Sequence, residues 1–391
     1  MNIVIDIRPL MGGKISGIEI YIKNLIENLV SIDQTNTYIL FANASSNQMP
    51  FLPKIKSKNL TIIQTRIPNK ILNFLLIAVQ WPKLDQLILR HLDRNPHLRP
   101  ESLKKDQIDL FFMPDLRPSA LSKEVRKILT IHDLSFLHFP KFFSLKTRLW
   151  YKLINPQKEI KSADKIIAVS EFTKKDILQN IDYKGQIKVI HQGIAENFCQ
   201  NIKTETTKQV LRKYHLQEPY LLFLSTIEPR KNVNRLAEAF NLYKKRHSQS
   251  KIKLVIAGKE DKKIFSKVKL EENKDIIFAG FIEENQKESL VKGATAFIYP
   301  SLFEGFGLPL LEAMKCGVPV ITSNTSSMPE VIGDAGILIN PKDIESISKA
   351  IEEIQKPEIQ EKLKNKMKEQ IKKFSWGNCA KETLDYFDFS K

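Results

Sequence analysis

Short, nearly continuous apolar runs alternate along the chain with longer segments whose apolar positions recur at helical spacing. The runs at 3–7, 38–41, 60–64, 110–113, 127–131, 165–169 and 187–190 predict one series of strands. Those at 220–225, 253–257, 276–279, 296–299, 318–322 and 336–339 predict a second. Strands that are apolar on both faces and separated by helices belong to parallel sheets covered on both sides. Two such series predict an α/β chain of two doubly wound domains. The polar stretch 191–219, rich in Lys, Thr and Gln, carries no strand run and marks the break, with a short helix expected at 208–214. An amphipathic helix is expected at 18–30, and one or two helices at 357–391, beyond the last strand. Ligands of open α/β sheets sit outside the carboxyl ends of the strands, so the residues just after each run are the candidates for chemistry.

The bulk properties agree with this picture and narrow it. The 391 residues suffice for two ordinary domains, and 42% hydrophobic with 27% charged residues is a globular composition. The 61 basic and 44 acidic residues leave a formal charge of +17. An anionic membrane surface, a phosphate-bearing substrate or biased coding would each explain that excess. Nucleic acid is disfavoured, because no zinc-finger spacing, RNP-like aromatic motif or basic heptad region occurs. Cys199, Cys316 and Cys379 are far apart and form no C-x-x-C, which argues against a disulfide framework and a cysteine zinc site and suits a reducing compartment. The N-terminus reads as a strand, and the longest apolar stretch, 71–81, is far shorter than the roughly 20 residues a membrane span needs. A cytoplasmic protein, touching a membrane without crossing it, is expected.

Residues 297–321 are the most informative in the sequence. A strand ending near Tyr299-Pro300 gives way to a loop with Gly305 and Gly307; Pro309 suits the first helical position, and Gly317 suits a C-terminal cap before Pro319 opens the next strand. Glycines let backbone approach a ligand, and the free amides and dipole of a helix start favour phosphate. Glu304 lies in the loop and Glu312 in the first turn of the helix, so both can face one pocket and accept hydrogen bonds from sugar hydroxyls. A plain capped helix, with Glu312 complementing the dipole, is the structural alternative.

The sequence Glu304-Gly-Phe-Gly-Leu-Pro-Leu-Leu-Glu312, followed by Gly317-Val-Pro-Val, resembles the E-x7-E signature of retaining GT-B glycosyltransferases of family four. The resemblance spans nearly the whole chain, is strongest over 220–341 and weakest over 43–124. It implies an N-terminal acceptor-binding domain at 1–195, a nucleotide-sugar-binding domain at 196–370, and a C-terminal helix at 371–391 returning to the first domain, with the two Rossmann-like domains facing a cleft. It places Glu304 by the donor sugar and Glu312 on the ribose, with the backbone of Gly305, Phe306, Gly307 and Leu308 meeting the diphosphate and sugar.

Other segments fit the same family. Thr226-Ile-Glu-Pro-Arg-Lys-Asn232 follows a strand; its Arg230 and Lys231 suit a diphosphate as fork and point charge, Asn232 is expected to cap the next helix, and the motif is similar to the family's E-P-R-K. Ile131-His132-Asp133 follows another strand, and the resemblance puts His132 near the reacting sugar; Asp133 would orient the ring or cap the next turn. Gly12, Gly13 and Gly17 form a loop that is no dinucleotide fingerprint but resembles the family's acceptor-side glycine loop. Ser170 reads as a helix N-cap, and Phe281, after Gly280, occupies a position that often cradles the base. Residues 139–161 mix Phe142, Phe143, Trp150 and Tyr151 with Lys141, Lys146, Arg148 and Lys152, which suits lipid head groups or a core-packed helix with a basic face.

The resemblance implies a retaining, front-face transfer in which the leaving diphosphate takes the acceptor proton. Overall similarity to polysaccharide mannosyltransferases points to GDP-mannose as donor and a lipid-linked or lipopolysaccharide glycan as acceptor. No cofactor is implied, since the nucleotide sugar is a substrate. A metal is not required, because Arg230, Lys231 and the loop amides replace it. The competing readings are a UDP-glucose-dependent or other hexosyltransferase, a phosphorylase or epimerase on the same fold, a glycosidase using the two glutamates, and a basic non-enzymatic protein binding membrane or nucleic acid.

Overall fold

A computed structural model describes residues 1–13, 16–44, 57–103, 107–200, 202–259 and 273–389. Every run expected as a strand forms one, with ends within two residues of those expected. The chain divides into two units, one of residues 1–134, 149–192 and 376–391, the other of 135–148 and 193–375.

The first unit holds seven parallel strands: β1 (Asn2–Asp6), β2 (Thr37–Asn43), β3 (Leu60–Thr65), β4 (Leu110–Met113), β5 (Arg126–Ile131), β6 (Lys165–Ala168) and β7 (Gln186–Val189). Their order is β3-β2-β1-β4-β5-β6-β7. β1 lies between β2 and β4, with Ile3 opposite both Tyr38 and Leu110, and all five of its residues are buried. That two-sided burial explains the unbroken Ile-Val-Ile run. The helix Gly17–Ile32 begins with a capping box in which Ser16 and Glu19 satisfy each other's backbone amides. The final helix, Trp376–Phe387, packs in this unit: Phe387 meets Phe112 at 5.2 Å, and the Tyr386 hydroxyl donates to Gln186 O at 2.9 Å.

The second unit holds six parallel strands: β8 (Tyr220–Leu224), β9 (Lys253–Ala257), β10 (Ile276–Gly280), β11 (Ala296–Tyr299), β12 (Val320–Ser323) and β13 (Gly336–Ile339), in the order β10-β9-β8-β11-β12-β13. In each sheet the order reverses at one place, between β1 and β4 and between β8 and β11. Such reversals open the crevices in which doubly wound folds bind ligands. β12 starts two residues later than expected because Val318 serves the preceding helix: its amide bonds to Ala313 O at 3.0 Å, and that of Gly317, at φ +74°, bonds to Met314 O at 3.0 Å. This is a Schellman closure, which needs the left-handed glycine.

The structure corrects two local expectations. Cys199 and Cys316 are joined as a disulfide with Cα atoms 5.2 Å apart, although 117 residues separate them; spacing along the chain carries no information about such a long-range pair. Cys379 is a buried thiol. Asn232 stands at the N-cap position of the helix Val233–Arg246 but does not cap it. Its backbone is left-handed at φ +61°, and its amide group donates instead to Pro300 O at 3.1 Å and Pro341 O at 2.6 Å. Ser170 does cap its helix, accepting from Thr173 N at 3.0 Å.

Candidate functional site

The segments that follow β8 and β11 bring Glu228, Arg230, Lys231 and Glu304 together. β8 leads into a single tight turn, Pro229–Lys231, and β11 into the loop that carries Glu304. Leu302 N donates to Arg230 O at 2.7 Å, which ties the two segments together backbone to backbone. Arg230 then reaches Phe303 O and Glu304 Oε2, both at 3.0 Å, while its Nε lies 2.6 Å from Glu228 Oε1. Lys231 Nζ donates to Glu304 Oε1 and to the Tyr299 hydroxyl, each at 2.6 Å. Each oxygen of Glu304 therefore faces its own cation.

This cluster lies out of bulk water. Glu304 is 6% exposed and Lys231 5%. Burial alone would push the Glu304 carboxyl up, but Arg230 and Lys231 outweigh it and bring it down from 4.5 to about 2. Burial and Arg230 pull Lys231 down; Glu304, Tyr299 and Glu228 reverse that and hold the ammonium above its ordinary value. The Tyr299 hydroxyl is pushed up, by burial first and by Glu304 second.

The loop behind Glu304 is fixed by serines that the sequence reading passed over. Glu304 N donates to Ser326 Oγ at 3.0 Å, and the Ser327 hydroxyl, wholly buried, lies 2.7 Å from Phe306 O and 3.0 Å from Glu304 O. Gly307 adopts φ +115°, and a Cβ there would stand 3.2 Å from Leu310, so glycine is needed where the loop turns into the helix Leu308–Lys315. Pro309 occupies the second helical position rather than the first, and Glu312 the fifth. The first amides of a helix lack intrahelical acceptors and face whatever the crevice holds. The Phe306 side chain is buried edge-on against Phe374 at 5.7 Å.

Glu312 does not join the Arg230 cluster. It is buried and accepts from Lys287 Nζ at 2.5 Å through Oε1. Burial pushes its carboxyl up and Lys287 offsets part of that; the same pair holds Lys287 charged. Among the described residues Oε2 of Glu312 accepts no hydrogen bond, so one carboxylate oxygen is anchored and the other is available to a hydroxyl. Lys287 sits on a helix, Glu284–Lys292, whose charged face reads in sequence as solvated surface. Phe281 stands 67% exposed after Gly280, at the end of β10.

The first unit carries the other candidates. His132 follows β5. Its Nε2 lies 2.9 Å from Pro114 O and its Nδ1 3.3 Å from the buried Gln192 amide. A carbonyl only accepts, so Nε2 carries the proton and Nδ1 accepts from Gln192. Tyr21 packs edge-on at 5.0 Å. Both ring nitrogens are therefore engaged within the first unit. Gly12 ends a short turn and Gly13 is left-handed at φ +66°, with open space where either Cβ would lie. Gly17 begins the next helix, and the two residues before Ser16 lie outside the described residues.

Comparison with known proteins agrees with this architecture. Residues 15–198 match the description Glycosyltransferase Family 4, and residues 204–374 match Glycosyl transferases group 1. The chain is 33% identical over 269 residues to O-antigen chain mannosyltransferase B of Escherichia coli, a match covering 67% of this chain and 70% of that one. It is 32% identical over 243 residues to the serotype-specific mannosyltransferase WbdA of Escherichia coli, covering 60% of this chain but 30% of that longer protein. Among solved structures, sucrose-phosphate synthase from Thermosynechococcus elongatus aligns with a TM-score of 0.68 at 18% identity, over 99% of this chain and 98% of that one.

Proposed function

The chain belongs to the family 4 glycosyltransferases of GT-B fold, and within that family we propose that it is a retaining mannosyltransferase, using GDP-mannose as donor and a lipid-linked or lipopolysaccharide glycan as acceptor. The observation that carries the reading is the buried Arg230–Glu304–Lys231 cluster at the reversal between β8 and β11, beside the helix start that leads to Glu312. The mannose preference rests on relatives named for that activity and for O-antigen chains. Membership of an enzyme family displaces the reading of a basic non-enzymatic binding protein.

In this reading the donor diphosphate lies against the amides of Gly305, Phe306, Gly307 and Leu308, with Arg230 facing it and Lys231 holding Glu304 in register. Glu312, anchored by Lys287, accepts from the ribose, and Phe281 covers the base. As the sugar–phosphate bond breaks, negative charge grows on the leaving diphosphate; in this reading the Arg230 guanidinium turns toward it and the loop amides meet it, and donors placed at developing charge lower such a barrier. The diphosphate oxygen takes the acceptor proton while the new glycosidic bond forms on the same face. In this reading Arg230 and the loop amides meet that charge in place of a metal. His132 bounds the sugar, and Gly12, Gly13 and Gly17 border the acceptor. Transfer to such an acceptor places the enzyme at the inner face of the cell membrane, in peripheral contact with anionic lipid. No helix among the described residues is long and apolar enough to cross a membrane.

The test is a panel of GDP-, UDP-, ADP- and dTDP-sugars, read by thermal shift and by slow hydrolysis of the donor with and without a chelator. GDP-mannose should give the largest shift and measurable hydrolysis, unaffected by chelation. A preference for another nucleotide would remove GDP-mannose, and no response to any donor would remove the roles given to Arg230, Glu304 and Glu312. The anomeric configuration of the product, followed by NMR, decides retention.

A further inference from the structure

We propose that the surface formed by the helix Asn69–Phe74, the π-helical turn Leu75–Val79 and Trp81 docks the first unit on an anionic lipid bilayer. The inference deepens the acceptor reading above by naming the element that meets the membrane.

The surface is tied to its unit and points its large apolar groups outward. Leu72 and Leu76 are fully buried and hold the segment to the unit, whereas Ile71, Phe74, Val79 and Trp81 are 53%, 64%, 58% and 56% exposed. Both ends are pinned. Asn43 donates to Ile67 O at 2.8 Å and to Asn69 Oδ1 at 2.6 Å, and beyond the turn Leu84 N donates to Ala120 O at 2.8 Å. Gln80, left-handed at φ +54°, closes the turn with its side-chain amide on Leu76 O at 2.7 Å. Four large side chains held outward on thirteen residues are not scattered surface hydrophobics; clustering of this kind marks an interaction site.

Charge identifies the occupant. Residues 34–84 contain no Asp or Glu, although 44 acidic residues in 391 would place about six in a stretch of 51. Over the described part of that stretch, Lys58, Arg66, Lys70 and Lys83 supply the charge. A second such gap, 134–158, also lacks carboxylates and carries the exposed Leu149, Trp150 and Leu153 of the same unit. Apolar and aromatic tips within a purely cationic stretch match the boundary between acyl chains and anionic head groups, where lysine stems lie along apolar surface and their ammonium groups reach phosphate. A second copy of the chain would bring the same positive charge against itself in a two-fold contact, which disfavours that occupant.

The experiment is vesicle co-sedimentation of the full chain, with phosphatidylcholine vesicles compared with vesicles containing about one third phosphatidylglycerol. Binding to the anionic vesicles should exceed binding to the neutral ones at least tenfold. It should fall as salt rises from about 0.1 M to about 1 M, where the screening length drops from about 10 Å to about 3 Å. The double variant Phe74→Ser/Trp81→Ser should lose at least tenfold in partition while keeping its circular dichroism and donor hydrolysis. In a Trp150→Phe background Trp81 emission should shift to the blue on anionic vesicles, since the remaining tryptophan, Trp376, is already buried. Equal binding to both vesicle types, unchanged binding of the double variant, or a wild-type dimer that the double variant abolishes would each overturn the proposal. Loss of donor hydrolysis in the wild type would instead count against the function proposed above and leave the docking result standing.

Discussion

Replacing Glu304 by glutamine removes one charge from a buried group of four, and the consequence can be worked out. The carboxyl is held down from 4.5 to about 2, which corresponds to about 3 kcal/mol of stability at neutral pH. Breaking a buried pair by removing one partner costs about 3–5 kcal/mol by an independent route. The Glu304→Gln variant should therefore be destabilised by about 3 kcal/mol at pH 7. The sign with pH follows from a depressed carboxyl: its contribution is complete above 4.5 and is lost as pH falls towards 2. The gap between wild type and variant should stay constant from pH 7 to about 5.5 and shrink to about 1 kcal/mol near pH 3. The assay is urea denaturation at a series of pH values, followed by circular dichroism. Trp81, Trp150 and Trp376 all belong to the first unit, so fluorescence reports that unit while circular dichroism reports both. A variant as stable as wild type at pH 7, or a gap unchanged down to pH 3, would refute the reasoning.

Lys287→Met should raise the donor KM at least tenfold with a smaller change in kcat, and should shrink the preference for nucleoside diphosphates over their 2′- or 3′-deoxy forms. If Lys287 merely packs the helix, that preference stays as in the wild type. Arg230→Gln and Lys231→Met should separate: the Arg230 side chain is 17% exposed, so its loss should lower kcat with the fold intact, whereas the Lys231 side chain is only 6% exposed and its loss should destabilise by about 3 kcal/mol or more in urea melts. Gly258→Ala places a Cβ 1.8 Å from Ser225 O at φ +138°, so a loss of at least ~3 kcal/mol is expected; a normal melt would show that the β8–β9 ends can part.

The fold was legible because both sheets are parallel and buried on both faces. Runs such as Ile3-Val-Ile5 and Tyr220-Leu-Leu-Phe223 are strands whichever way they face, so period and length alone place them. The Ser170 cap was legible because it is local: its hydroxyl accepts from Thr173 N three residues on. Asn232 misled for the same reason. Its composition suits a cap, but Pro300 and Pro341, distant in sequence, claim its amide, and no local signal announces them. The Cys199–Cys316 pair and the Lys287–Glu312 pair belong to the same class of long-range partnership.

The candidate site shows why its members could be found while their roles shifted. Arg230 and Lys231 were recognisable as two cations after a strand, which suggests free charge waiting for a diphosphate. In the structure the charges of Arg230 and Lys231 are matched by those of Glu228 and Glu304, so the cluster is neutral before any donor arrives. A neutral cluster can be buried where a bare dication could not, since uncompensated charge in the interior costs several kcal/mol. It also divides the labour. Lys231, with Tyr299 and Glu304, is the closed part that fixes geometry. Arg230, more open and bound to Glu304 by a single nitrogen, is the part whose guanidinium can turn toward an arriving phosphate without leaving Glu304 unbalanced, because Lys231 remains. On the function proposed above, such a cluster is stable by itself and can still present a cation to the charge that develops on a leaving group.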